Sequence, residues 1–371
     1  MNTSTLACID RCCNTRRGIL GGMLALGGAS LFGAGSVMAQ AQIQTPQRQL
    51  QQAAKVPPHR IAHRIDTHHH FNTPRWVAAV ATRERLNPRA RDWTAQQSID
   101  EMDRNGVATS MLSITNPGLW FGDNEATRAL ARDCNEHLAG YVRDHPGRFG
   151  SFAAMPLPDV DATLREIAFA LDELKFDGIG LFTSYGGSKW LGDPAFNPVY
   201  EELNRRKALV FVHPTAPDCC GNLIPDVPAS LIEYGTDTSR AIASLLFTGT
   251  AARYPDIRFI FSHAGGTAPY LILRYQRLER NMKEREKRLP NGLMHELRKF
   301  HYDTALSTSP VPLGALLKLV PITQVLFGTD FPSGGNMVDG VKGLAECGFS
   351  APDLRAIERE NALRLVPPLG G

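Results

Sequence analysis

Along most of the chain, short β-rich apolar runs alternate with longer runs of helical period. Eight short runs read as strands: "HRIDTHHHF", "VATSMLSIT", "FGSFAAMPL", "DGIGLFTS", "ALVFVHPT", "IRFIFSHAG", "HYDTAL" and "QVLFGTDFP". Between them, "NEATRALARDCNEHLAGYVRDHP" sets Ala, Leu, Cys and Val at helical spacing, and "DATLREIAFALDELK", "FNPVYEELNRRK" and "TSRAIASLLFTGTAARYP" repeat the pattern. Strand–helix alternation of this kind calls for parallel strands joined by right-handed crossovers. Eight units predict an α/β chain closed as a (β/α)8 TIM barrel. An open doubly wound sheet fits less well, because no Gly-x-Gly-x-x-Gly follows the first strand.

The alternation is absent from the first sixty residues. Arg16-Arg17 precede a Gly-rich, weakly apolar run that ends at Val37-Met38-Ala39. Charge, apolar run and small residues in that order predict an export signal over residues 1–39, with the paired arginines pointing to the twin-arginine route and a periplasmic or secreted product. The Gln-rich stretch that follows, ending in prolines, reads as a flexible linker over 40–60, and the barrel is expected over 61–371. No later stretch is long and apolar enough to span a bilayer, so no stable membrane insertion is expected once the signal is removed.

Composition narrows the classes of function. Of 371 residues, 43% are hydrophobic and 21% charged, enough for a large core. The formal net charge is +3. Asp10, Arg11, Arg16 and Arg17 supply +2 of it from within the signal, so the rest of the chain carries +1. Without a dense basic stripe, a nucleic-acid partner is not expected. Cys8, Cys12 and Cys13 lie in the signal; the other four of the seven cysteines, Cys134, Cys219, Cys220 and Cys347, are too few for a disulfide-built fold. Adjacent Cys219 and Cys220 lack C-x-x-C spacing and read as loop residues.

In such a barrel, chemistry gathers at the C-terminal ends of the strands. Strand one ends in His68-His69-His70, strand five in His213, strand six in His263 and strand eight in Asp330. Side chains alternate along a strand, so His68 and His70 point together and His69 points away, toward the outer layer. His68 and His70 form a chelating pair that His213 and Asp330 can complete. Three imidazoles and a carboxylate suit one borderline divalent ion, Zn2+ first, with Mn2+ or another transition ion as alternatives. His263 is left outside the ligand set, placed to polarise or deprotonate a metal-bound group, with Asp330 exchanging the proton.

From Arg64 to Pro332 the motifs "IDTHHHF", "EMDRNGV", "WLGDPAF", "VFVHPT", "YPDIRFIFSHAGG" and "LFGTDFP" resemble the amidohydrolase superfamily. Within it the likeness is to the family of α-amino-β-carboxymuconate-ε-semialdehyde decarboxylase and 6-methylsalicylate decarboxylase. The resemblance implies His68, His70, His213 and Asp330 as metal ligands, His263 as the catalytic histidine, and a homodimer in which Arg274 reaches the neighbouring site. Binuclear members of the superfamily carry a carboxylated Lys at the end of strand four; strand four has no Lys there, so the resemblance implies one metal ion rather than two. A carboxylate substrate needs a cation; besides Arg274, Arg240 is a candidate, with Arg89 and Arg91 as looser ones. Trp76, Trp120, Phe121 and Trp190 are candidates for an aromatic wall. The implied activity is metal-dependent, non-oxidative decarboxylation of an aromatic or dienoic acid. The alternatives are hydrolysis of a lactone, ester or amide at the same site, or metal binding without catalysis. An exported chain departs from the intracellular setting of these relatives, so their substrates do not transfer directly.

Overall fold

The computed structural model describes residues 63–83, 86–186, 189–221 and 223–366. The expected export signal and the expected linker both lie outside the described residues. Eight parallel strands follow one another around the sheet in chain order: β1 (Arg64–His70), β2 (Val107–Ser113), β3 (Phe149–Ala154), β4 (Gly178–Phe182), β5 (Leu209–His213), β6 (Arg258–Phe261), β7 (His301–Asp303) and β8 (Val325–Leu326). All eight predicted strands are present. The ring closes where the chain beyond β8 meets β1. Thr67 N–H donates to Phe327 O at 2.9 Å, His70 N–H to Phe331 O at 2.8 Å, and Asp330 N–H to His68 O at 2.8 Å. This is the predicted TIM barrel.

Two apolar layers hold it. Inside, Ile65, Met111, Phe152, Leu209, Phe211 and Ile260 fill the barrel. Outside, a larger cluster packs strands against helices. Each fully buried side chain of this kind contributes about 1.5–3 kcal/mol. Helix ends follow local chemistry. Thr73 caps helix α1 (Pro74–Ala81), whose first residue is a proline. Thr94 and Gln97 form a capping box on α2 (Ala95–Asn105), which stops at left-handed Gly106, φ 66°.

The register of β1 matters for the site. Asp66 pairs with Ser110 and His69 with Leu112, so β1 carries one extra residue between them. That bulge places Asp66 and His69 on one side, where regular alternation would oppose them. Asp66 accepts from His69 Nδ1 at 3.1 Å and, across the closure, from Thr329 N–H at 3.1 Å and Thr329 Oγ1 at 2.6 Å. It fastens β1 to the chain after β8.

Candidate metal centre and active site

His68, His70, His213 and Asp330 converge at the strand ends, are buried, and each offers a ligand atom within 4.8 Å of the others. The cluster rests on the barrel filling: the Phe211 ring lies 5.0 Å from that of His68 and 5.1 Å from that of Phe152. His68 Nε2 and His70 Nε2 are 3.1 Å apart, and Asp330 Oδ1 lies 2.9 Å from His70 Nε2. Every Nδ1 faces an oxygen acceptor. His68 Nδ1–H donates to Asp303 Oδ2 at 3.0 Å, His70 Nδ1–H to Ser113 O at 3.2 Å, and His213 Nδ1–H to Pro214 O at 2.9 Å. With Nδ1 of each ring facing an acceptor, all three Nε2 atoms point inward, where each can offer its lone pair to a cation. His213 Nε2 is buried and has no hydrogen-bond partner. An orphaned acceptor facing two further imidazole nitrogens and a carboxylate fits a bound cation.

Charge follows the geometry. Burial lowers the pKa of His213 well below the ordinary imidazole range, reinforced by His70 and His68. Burial also lowers that of His70, against the pull of Asp330. At His68, burial acts in the same direction, but Asp303 and Asp330 outweigh it and raise the value to about 10. Burial would raise the pKa of Asp330, yet His68 and the hydrogen bonds around it hold it well below the carboxylate range. Asp303 and Asp330 therefore draw positive charge into the cluster, either a second proton on His68 or a cation bound in its place.

His263 stands beside this set. Its Nε2 is 3.4 Å from Asp330 Oδ2, on the side away from His70, and its Nδ1 is buried without a partner. His263 and Asp330 both lie in the left-handed backbone region, at φ 56° and 62°. For non-glycine residues this costs about 1–3 kcal/mol each and recurs at functional sites. Asp303, which sequence reading passed over, links the two halves. It also accepts from His263 N–H at 3.1 Å and Ala305 N–H at 2.9 Å. An acid at the end of strand seven was the available signal. Gly328 and Gly334 make room: a Cβ on the first would lie 2.9 Å from His68 Cβ, and one on the second 2.4 Å from Asp330 Oδ2.

Beside the cluster, a cavity of about 90 Å3 opens between the ends of β2, β3, β4 and β5. Trp120, Met155, Phe182, Tyr185, Ser184 and Thr215 contribute to its wall. Phe182 is 6.2 Å, ring to ring, from His213.

The other predicted contact residues are distributed differently. His69 faces outward, with Nε2 2.8 Å from Ser98 Oγ on α2. Trp76 is wholly buried and donates to Gly118 O at 2.9 Å; it backs the cavity loop instead of walling the cavity, because its ring has no exposed face. Trp190 donates to Asp237 Oδ1 at 2.8 Å and is not among the residues that line the cavity. Arg240 is engaged by acids of its own helix, Glu233 at 3.5 Å and Asp237 at 3.4 Å, because helical spacing places them within reach. It is not the free cation expected of a carboxylate partner. Arg274 is exposed and, among the described residues, makes no ion pair. Arg91 pairs with Asp92, whereas the Arg89 guanidinium lies 6.0 Å from the ring of Phe331, the residue after Asp330. Phe121 lies under Arg83 at 4.6 Å.

A parallel eight-stranded barrel with three histidines and an aspartate at its strand ends defines the class of barrel built around a metal centre. A family model described as amidohydrolase matches residues 65–367, and the chain belongs to that family. It is 39% identical over 281 residues to a 6-methylsalicylic acid decarboxylase of Penicillium expansum, covering 73% of this chain and 85% of the relative. Among solved structures, a 2,6-dihydroxybenzoate decarboxylase from Rhizobium superposes with a TM-score of 0.74 at 22% identity, over 84% of this chain and all of the other. A dihydroxybenzoic acid decarboxylase from a Polaromonas species, with bound manganese and the inhibitor 2-nitroresorcinol, gives 0.72 at 22% identity, over 83% and 97%.

Proposed function

We propose that this chain is a metal-dependent, non-oxidative decarboxylase of an aromatic carboxylic acid. The observation that carries the reading is the joint presence of the buried His3Asp cluster and His263 against Asp330, beside an aromatic-walled cavity. Similarity to named decarboxylases supports it.

His68, His70, His213 and Asp330 would hold one divalent ion. The donor set favours Zn2+, and Mn2+, found in the Polaromonas structure, is the competitor. When bound, the ion would supply a Lewis-acidic centre that orients the substrate carboxylate and a neighbouring oxygen. His263 and Asp330 share a proton across their 3.4 Å contact and deliver it to the ring carbon that bears the carboxylate. The carbon–carboxyl bond then breaks, its electron pair returns to the ring, and CO2 departs. Phe182 and Trp120 exclude water and stack the ring. Arg89 is the nearby cation for a second anionic group.

The homodimer belongs to the same proposal. Arg274 is exposed on the helix Ala268–Asn281, flanked by Leu273 at 75% and Tyr270 at 61% exposure. Apolar surface around an unpaired arginine supports a face that a second copy covers. Twin-arginine export into the periplasm is also proposed, on the pattern at Arg16-Arg17 and Val37-Met38-Ala39.

The test is a product screen. Purified protein loaded with Zn2+ or Mn2+ is incubated with hydroxybenzoic acids, and CO2 is measured. The same protein is offered lactones in a pH-stat. CO2 from at least one acid, lost in His263→Asn with metal content retained, is the expected result. Acid release from lactones without any CO2 would overturn the reading.

A further inference from the structure

Asp237 has no exposed surface and lies on the helix Ala229–Phe247, outside the metal cluster. Its two oxygens meet different partners. Oδ1 accepts from Trp190 Nε1–H at 2.8 Å and faces Arg240 at 3.4 Å. Oδ2 accepts from the Thr183 hydroxyl and, at 3.3 Å, from Ser184 Oγ. Both hydroxyl residues follow β4 and lead to Thr215. Thr215 N–H donates to Thr183 Oγ1 at 3.0 Å, and Thr215 Oγ1 lies 3.2 Å from Ser184 Oγ and 3.4 Å from Thr183 Oγ1. Thr183 N–H in turn donates to the carbonyl of His213 at 3.1 Å. Thr215 is part-exposed and lines the cavity two residues beyond that ligand histidine.

Counting protons gives this network a direction. Each hydroxyl has one proton to donate, and a carboxylate only accepts. Thr183 and Ser184 direct theirs to Asp237. Their oxygens can then only accept from Thr215, whose own proton turns inward to Ser184. What Thr215 leaves for the cavity is lone pairs.

We infer that Asp237 is a positioning residue that fixes Thr215 as a hydrogen-bond acceptor in the cavity wall, so that the cavity selects a ring bearing a hydrogen-bond donor facing Thr215. The inference rests on the decarboxylase reading for its choice of ligand, an aromatic acid. A wall built to accept from a hydroxyl rejects the congener that lacks the proton. In Asp237→Asn, Trp190 and Arg240 can only donate, so they hold the amide oxygen at the Oδ1 position. The amide nitrogen then faces Thr183 and Ser184, and the polarity of the chain reverses. Thr215 would present its proton to the cavity.

The experiment is calorimetric binding of 2-, 3- and 4-hydroxybenzoate and their methyl ethers to the metal-loaded full-length protein, with CO2 release followed in parallel. At one ring position or more, the wild type should prefer the phenol over its ether by about tenfold. That ratio should fall to about one in Asp237→Asn and in Thr215→Val, and return in Thr215→Ser. Cooperative melting of each variant serves as the folding control. An ortho hydroxyl that merely reached the metal would keep its advantage in both variants. A ratio below about threefold at every position, or one that persists in both variants, overturns the inference. Failure of every acid to bind overturns it together with the decarboxylase reading. Selective binding without CO2 from any acid overturns the decarboxylase reading alone.

Discussion

Replacing Asp303 by Asn separates the role of this residue in shaping the metal centre from its role in folding. One carboxylate oxygen, Oδ1, accepts from two backbone donors, His263 N–H at 3.1 Å and Ala305 N–H at 2.9 Å. The other, Oδ2, receives His68 Nδ1–H at 3.0 Å. In Asp303→Asn the two N–H groups hold the amide oxygen where Oδ1 was, so the amide nitrogen must face His68. Two donors cannot share one bond, so His68 responds by moving its proton to Nε2, the atom that faces the other ligands. The change preserves volume and the two backbone bonds, so stability should drop by no more than about 1–1.5 kcal/mol, one hydrogen bond. Metal affinity should drop about 10–100-fold, the usual consequence of removing an acceptor that orients a ligand histidine. Competition against a chromogenic chelator reads the affinity, and thermal melting reads the stability. Asp303→Ala provides the contrast, because it strands three buried donors and should cost several times more stability, at about 1–3 kcal/mol per unsatisfied group. Metal affinity in Asp303→Asn within about twofold of wild type would refute the tautomer argument.

Other outcomes follow from the same contacts. His69→Ala should keep one metal ion per chain but destabilise the fold by about 1–3 kcal/mol, since Asp66 and Ser98 lose their partner, whereas His70→Ala should lose the ion; elemental analysis and melting distinguish them. His301, on β7, has its pKa lowered by burial to about 4. Above pH 6.5 it is neutral in both folded and unfolded chains; between pH 6.5 and 4 only the unfolded chain takes up its proton, so about 3 kcal/mol of stability should be lost across that window and none below it. Chemical unfolding at several pH values should show that loss, and His301→Gln should remove most of it. Gly328→Ala brings a methyl within 2.9 Å of His68 Cβ and 3.0 Å of Asp303 Cβ, and should cost about 1–3 kcal/mol and weaken metal binding together.

Much of the site was legible because strands declare their faces. Apolar runs ending in ionisable residues marked β1, β5, β6 and the chain after β8, and period-two alternation separated His68 and His70 from His69. Those are properties of one strand at a time. Trp76, Trp190 and Arg240 were harder to read, because their roles depend on neighbours outside their own strand or loop. The Gly118 carbonyl claims Trp76, Asp237 claims Trp190, and two acids one and two helical turns earlier claim Arg240. Asp303 left little trace because β7 is only three residues long, too short to show a period.

The sequence by itself determined the number and order of the strands, the closed architecture they imply, and the identity of the residues that crowd the metal centre, because hydrophobic period and strand ends are local properties. The tertiary structure alone decided the bulge that sets Asp66 beside His69, the tautomer imposed on His68 by Asp303, and the direction of the hydroxyl chain from Asp237 to Thr215. Each of these depends on which donor meets which acceptor across strands far apart in the chain, and a hydrogen bond acquires its direction only when both partners are in place.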